Sequence, residues 1–264
     1  MQITKDTRAL VTGANGGIGT AIARTLHAAG ATVIVTGRRA DALRPLADAI
    51  GARVVVADLA NRDDVVRCMD EAGPIDVLVA NAALPSSGPL ATFADDQIDR
   101  ALDVNLRAPI IMARHAVPGM LERGRGQIVF ISSISGKVAA PGTSMYSATK
   151  FGMRGFALGL REDLHGTGVG VTTIYPGFIS DAGMFADTKV TLPRGAGTRT
   201  PQQVADAVLR AVREDPAEIT VASFEQSLGA VLAGISPSLV AAIQRLLGGG
   251  EIAKQIAAAQ AHKR

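Results

Sequence analysis

Short apolar runs alternate with longer helical stretches from the start of this 264-residue chain, and that alternation limits its fold more than any other feature. Residues 8–12, 32–36, 53–57, 75–80, 127–132 and 169–175 read as strands. Most are almost continuously apolar, as strands are when a sheet is covered on both faces. Helical patterns fill 18–29, 41–50, 62–72, 95–121 and 144–165. Thr200 followed by Pro201 and Gln203 reads as an N-cap, a first-turn proline and a residue reaching back, so a helix should run from there to about residue 213. Residues 218–222 supply a last strand. Strand, helix and strand repeated in this way predict an α/β fold: a doubly wound parallel sheet of about seven strands flanked by helices. Residues 1–222 form one unit on this reading. No internal repeat or linker divides the chain.

Composition agrees and removes several function classes. Hydrophobic residues make up 47% and charged residues 19%, as in a globular domain. Aromatics are 3% and tryptophan is absent, so the core is built from Ala, Val, Ile and Leu. A net charge of +3 without a long basic run gives no electrostatic footprint for nucleic acid. Cys68 stands alone, which excludes an intrachain disulfide or a cysteine-rich zinc site. His27, His115, His165 and His262 have no ligand spacing, so no metal is expected. Without a signal-peptide pattern or a bilayer-length apolar segment, a cytoplasmic protein is expected.

The turn after the first strand is rich in glycine: Gly13, Ala14, Asn15, Gly16, Gly17, Ile18, Gly19. Such residues let the backbone turn tightly and approach a bulky anion, with the unpaired N–H groups of the next helix aimed at a pyrophosphate. At the end of the second strand, where an NAD site commonly has a carboxylate, stand Arg38 and Arg39. A carboxylate repels a 2′-phosphate and an arginine binds one, so NADP(H) is expected over NAD(H). The alternative is a pair of solvated loop arginines.

Tyr146 and Lys150 lie one helical turn apart on one face. A phenol with an ordinary pKa of about 10 is a poor proton shuttle at neutral pH. A nearby ammonium is expected to lower that value towards a usable general acid–base. Ser133 is placed to hydrogen-bond a reacting carbonyl oxygen. On the same helix Ala148, Gly152, Gly155 and Gly159 form a strip of small residues. It calls for close approach of the sheet, the cofactor or another helix, including one from a second subunit.

Together these elements resemble the short-chain dehydrogenase/reductase family from about residue 8 to 177, and more weakly through the helix after Pro201. Residues 12–19 match its T-G-x-x-x-G-x-G cofactor turn, and Tyr146 with Lys150 its Y-x-x-x-K motif. Asp58 and Leu59 fall on its acidic position near the adenine, and Asn81, Ala82 and Ala83 on its segment after the fourth strand, with Leu84 where glycine is usual. Asn105 and Ser133 fall on its catalytic asparagine and serine, and Pro176 and Gly177 on its turn beside the nicotinamide, with Ile179 close by. The resemblance implies a Rossmann fold and reversible hydride transfer between a nicotinamide cofactor and a carbonyl or alcohol. Tyr146 would protonate the oxygen. Lys150 would lower the tyrosine pKa and hold the ribose, Ser133 would polarise the carbonyl, and Asn105 would hold a water linked to Lys150. A non-catalytic dinucleotide-binding sensor is the rival reading, but it needs neither Tyr146 nor Lys150.

The family's usual threonine after Pro-Gly is absent, and Ser180 is expected to replace it unless the loop is rebuilt around Asp181. Phe178, Met184 and Phe185 suggest either an apolar substrate wall or a closed core, within a substrate lid over residues 178–200. Residues 223–264 form a helical extension, with Leu228, Val231, Leu232 and Ile235, then Leu239, Ile243, Leu246 and Leu247, at helical spacing. They pack on the domain or a partner subunit, or else cover substrate or touch a membrane, as Arg245, Lys254, Lys263 and Arg264 permit. The expected partners are a small carbonyl or alcohol substrate of apolar character and copies of the chain itself, as a homodimer or homotetramer.

Overall fold

The computed structural model describes residues 1–181 and 197–246, together with 255, 258 and 259. Seven strands form one sheet: β1 (Arg8–Thr12), β2 (Thr32–Gly37), β3 (Arg53–Val56), β4 (Val77–Ala80), β5 (Gly126–Ile131), β6 (Val169–Pro176) and β7 (Glu218–Val221). Their order is β3-β2-β1-β4-β5-β6-β7, with every pairing parallel. This is the doubly wound Rossmann-type sheet the alternation predicts.

Alternate residues of each strand face opposite sides, and each side is buried under helices. On one side Val11, Val33, Val35, Val79 and Val129 pack with Leu26 of α1 (Gly17–Ala28), Leu43 of α2 (Ala40–Ile50) and Val208 of α7 (Pro201–Glu214). On the other, Leu10, Ile34, Leu78, Ile128 and Phe130 meet Cys68 of α3 (Arg62–Ala72), Met112 of α5 (Ala108–Glu122) and Met153 of α6 (Ser144–Asp163). Two-sided burial explains the absence of polar alternation in β4 and β5, each buried throughout. Cys68 is buried packing, and burial pushes its thiol pKa up. Among the described residues no cluster of ligating side chains is arranged to hold a metal, and no helix is long and apolar enough to cross a membrane.

Most elements fall within a residue or two of their predicted bounds. The exception is the single helix expected over 95–121. It divides into α4 (Asp95–Leu102), a π-helical turn at Asp103–Arg107, and α5. Pro109 is the physical reason. In an α-helical register it has no N–H for the Asn105 carbonyl, and its ring crowds that carbonyl. Widening the turn relieves both and places Asn105 where β4 ends.

α8 (Phe224–Ile235) and α9 (Pro237–Leu246) form as the spacing predicts, but they face the protein through Ala230, Ala233 and Val240. The large residues point outward: Phe224 is 75% exposed, Ile235 78% and Leu246 86%. Met184, Phe185 and most of the expected lid and last helix lie outside the described residues.

Candidate active site

All the expected site residues on the sheet follow the carboxyl ends of strands. In the order β2-β1-β4 the direction of winding reverses between β1 and β4, the switch point where such sheets bind ligands. A groove of about 270 Å³ opens there. Gly13, Asn15, Gly16, Gly17, Ile18 and Gly19 form one wall. Arg38, Asp58, Leu59, Asn81, Ala82 and Ala83 also line it.

The glycines are required by space. Gly13 has φ +63°, and a Cβ on it would lie 2.9 Å from the Ala82 Cα. A Cβ on Gly19 would collide with the Gly13 carbonyl oxygen and lie 2.8 Å from the Ala14 Cα. Asn81 braces the turn from across the switch point, its amide donating to the carbonyls of Thr12 at 2.9 Å and Gly13 at 3.3 Å. The Thr12 hydroxyl in return accepts from the backbone N–H groups of Asn81 and Ala82, each at 2.9 Å. The N-terminus of α1 has no side-chain cap and no acidic residue in its first turn. By contrast, Asn61, Thr200 and Ser223 cap α3, α7 and α8. Unpaired N–H groups, a groove and a turn with no room for a side chain at Gly13 or Gly19 suit a dinucleotide pyrophosphate.

Arg38 lines the groove, whereas Arg39 begins α2 outside it; both are exposed, and neither forms an ion pair among the described residues. Sequence reasoning missed Arg100. This residue of α4 lines the groove and approaches Asp58 at 3.7 Å. It carries no motif, and only the tertiary approach of α4 reveals it.

Ser133, Tyr146, Lys150, Pro176, Gly177 and Ile179 are outside the groove lining and lie around the ends of β5 and β6. Lys150 is 3% exposed and donates to the Ile131 carbonyl at 3.0 Å. Its ammonium nitrogen lies 5.6 Å from the Tyr146 ring centroid. The Ser132 hydroxyl donates to the Lys150 carbonyl at 3.3 Å, and a Cβ on Gly136 would lie 2.8 Å from the same oxygen. The segment after β5 is therefore packed directly on α6. The Ser133 hydroxyl accepts from the Ser135 N–H at 3.2 Å and faces the phenol of Tyr146.

The electrostatics differ from the simple expectation. Burial pushes Tyr146 up to about 12, and Ser133 offsets only part of that. Burial also drives Lys150 down to about 8. In this structure burial sets the direction of the Tyr146 shift, and the Lys150 ammonium is engaged with Ile131. This has a direct optical consequence. Tyr146 and Tyr175 are the chain's two tyrosines and it has no tryptophan, so phenolate absorbance reports these rings alone. Tyr175 is buried beside Glu218 and lies well above the phenol range. Absorbance of the ligand-free protein should stay flat from about pH 8 to about pH 11, and a full phenolate step near pH 10 would contradict this.

The Asn105 side chain is engaged with the loop after β4. Its side-chain oxygen accepts from the Leu84 N–H at 2.7 Å, and its amide donates to the Leu84 carbonyl at 2.9 Å. Both ends are thus committed to the loop after β4, and they fix the position where the family has glycine. Ile179 is buried and pairs with Arg199. Ser180 directs its hydroxyl at Asp181, 2.7 Å away, and is engaged within its own loop. Gln226 of α8 was missed as well. A Cβ on Gly177 would collide with its oxygen, and its buried amide nitrogen has no hydrogen-bond partner among the described residues.

Comparison with known proteins agrees with this geometry. The short chain dehydrogenase family profile matches residues 7–192. Ketoacyl reductase HetN of Nostoc sp. (strain PCC 7120) is 35% identical over 253 residues, covering 90% of this chain and 88% of the Nostoc protein. A metagenomic short-chain oxidoreductase solved with NADP superposes with a TM-score of 0.71 at 30% identity, over 84% of this chain and 98% of that one. The 3-oxoacyl (acyl-carrier-protein) reductase of Agrobacterium tumefaciens C58 with NADP bound gives a TM-score of 0.76 at 26% identity, over 83% and 93%. The chain belongs to the short-chain dehydrogenase/reductase family, as an oxidoreductase acting on CH–OH groups.

Proposed function

We propose that this protein is an NADP(H)-dependent carbonyl reductase in which Tyr146 exchanges the proton with the substrate oxygen. The observation that carries this reading is the convergence of Ser133, Tyr146 and Lys150 beside a groove suited to a dinucleotide. Bound in that groove by the glycine wall and the α1 N-terminus, the cofactor supplies the hydride. The chain's own residues supply position and proton. Ser133 presents a hydroxyl to the carbonyl oxygen, where negative charge develops. Tyr146 delivers its proton to that oxygen. Lys150 sits behind it as a buried cation close to its own pKa. Asn105 holds the β4 loop against α6, and the π turn frees its backbone carbonyl from an α-helical partner.

Arg38 is the basis for preferring NADPH, since it lines the groove at the end of β2, forms no ion pair among the described residues, and stands where an NAD site commonly has a carboxylate. Arg38→Ala should weaken NADPH binding by about 10-fold or more, roughly one lost charge-assisted contact, and leave NADH binding nearly unchanged. Titration of bound-cofactor fluorescence checks this, and equal kcat/KM for the two cofactors in the wild type would contradict it.

The names of the relatives support a 3-oxoacyl chain as the first substrate class to try. A panel of ketones that includes 3-oxooctanoyl N-acetylcysteamine thioester, followed by loss of NADPH absorbance, is the screen. The outer face of α6 supports self-association. Phe151 and Leu158 are exposed, and among the described residues nothing lies within 4 Å of a Cβ on Gly155 or Gly159. Light scattering should give the mass of two or four chains, and a monomer at micromolar concentration contradicts it.

A further inference from the structure

We infer that Glu218, at the head of β7, is a positioning residue that holds the Ser133 segment, the Tyr146–Lys150 helix and the turn after β6 in one arrangement. The inference rests on the reading of Ser133, Tyr146 and Lys150 given above. Lys137 follows four residues after Ser133, and its ammonium lies 2.8 Å from Glu218 Oε2. Arg154 stands one turn beyond Lys150 on α6, and its Nε donates to Glu218 Oε1 at 2.8 Å. Tyr175 immediately precedes Pro176 and Gly177, and its hydroxyl donates to the same oxygen at 2.8 Å. Lys137 also lies 4.1 Å from the Tyr175 ring centroid and donates to Thr220 at 3.4 Å. One carboxylate thus joins the three segments that carry the reacting groups, yet it touches neither the groove nor the phenol of Tyr146.

The cluster is enclosed, with Glu218 at 22% side-chain exposure, Lys137 at 15% and Arg154 at 34%. Partly buried charges in a shared network are held in fixed geometry, and removing the common acceptor releases all of its partners together. A displacement of about 1 Å between reacting groups is enough to cost on the order of 10²-fold in rate. No sequence motif marks the arrangement, since its members lie far apart in the chain and meet only through the β6–β7 pairing.

The test uses the full-length protein, NADPH and whichever ketone of the panel the wild type reduces. Glu218→Gln keeps the shape and removes the charge. It should lower kcat by about 10- to 100-fold and raise the primary isotope effect with deuterated NADPH, because hydride transfer becomes slower. NADPH affinity should stay within about twofold, since the groove residues lie on the β1–β4 side. Wild-type kcat and isotope effect in a folded Glu218→Gln variant would overturn the inference. So would a kcat that returns to the wild-type value once it is expressed per folded molecule. If that variant does not fold, Lys137→Met, which cuts only the link to the Ser133 segment, decides by the same split. Tyr146→Phe run alongside separates the two ideas. If it retains turnover the proton-transfer reading fails, whereas an inactive Tyr146→Phe beside a fully active Glu218→Gln refutes only the role of Glu218.

Discussion

Tyr146→Phe is expected to lower turnover by about 10²- to 10⁴-fold, the usual range for losing a positioned proton donor, while NADPH still binds. The substitution removes one hydroxyl from a half-buried ring and leaves its packing on α6 in place, so the fold should persist. Lys150 keeps its bond to Ile131, and the groove keeps every residue that lines it. The loss should therefore lie in kcat and not in cofactor affinity. Calorimetry and cofactor titration on the same preparation check that division. A variant with the turnover of the wild type would remove Tyr146 from the chemistry.

Gly19→Ala carries the second large effect, and here stability and cofactor binding change together. The added methyl would meet the Gly13 carbonyl oxygen and, at 2.8 Å, the Ala14 Cα. Both are backbone atoms, so the glycine turn itself must move. Overpacking of this kind costs about 1–3 kcal/mol, which lowers Tm by roughly 2–4 °C per kcal/mol in a domain near this size. The displaced turn should also raise the Kd for NADPH by about 10-fold or more, because the pyrophosphate approaches that backbone. Gly16→Ala is the internal control. Its Cβ would meet only the Gly13 carbonyl, at 3.4 Å, so both effects should be small. Equal Tm and Kd for Gly19→Ala and the wild type would contradict the account of the groove.

The strands and the glycine turn were legible because their signals are local. A run such as Val77–Ala80 is apolar throughout since both of its faces are buried, and residues 13–19 lie where a strand becomes a helix. What escaped the sequence depends on partners distant along the chain. The π turn at Asp103–Arg107 was hidden inside a good helical pattern, although Pro109 was there to mark it. Arg100 and Gln226 join the site only because α4 and α8 fold back towards the strand ends. The direction in which the tail's apolar face points is hidden for a related reason. Helical spacing gives the face that Leu228, Val231 and Ile235 share, but it does not say which way that face points. The protonation of Tyr146 differs from expectation because spacing reveals the lysine one turn away and not the burial of the phenol, which raises its pKa.

The most direct test of the central claim follows a deuterium atom. Wild-type protein is mixed with the ketone panel and NADPH deuterated at the transferable position, and the product alcohol is examined by mass spectrometry. The expected result is one deuterium on the carbinol carbon for at least one ketone, with product formation almost abolished in Tyr146→Phe. No deuterated alcohol from any ketone, or an equal yield from Tyr146→Phe, would contradict it.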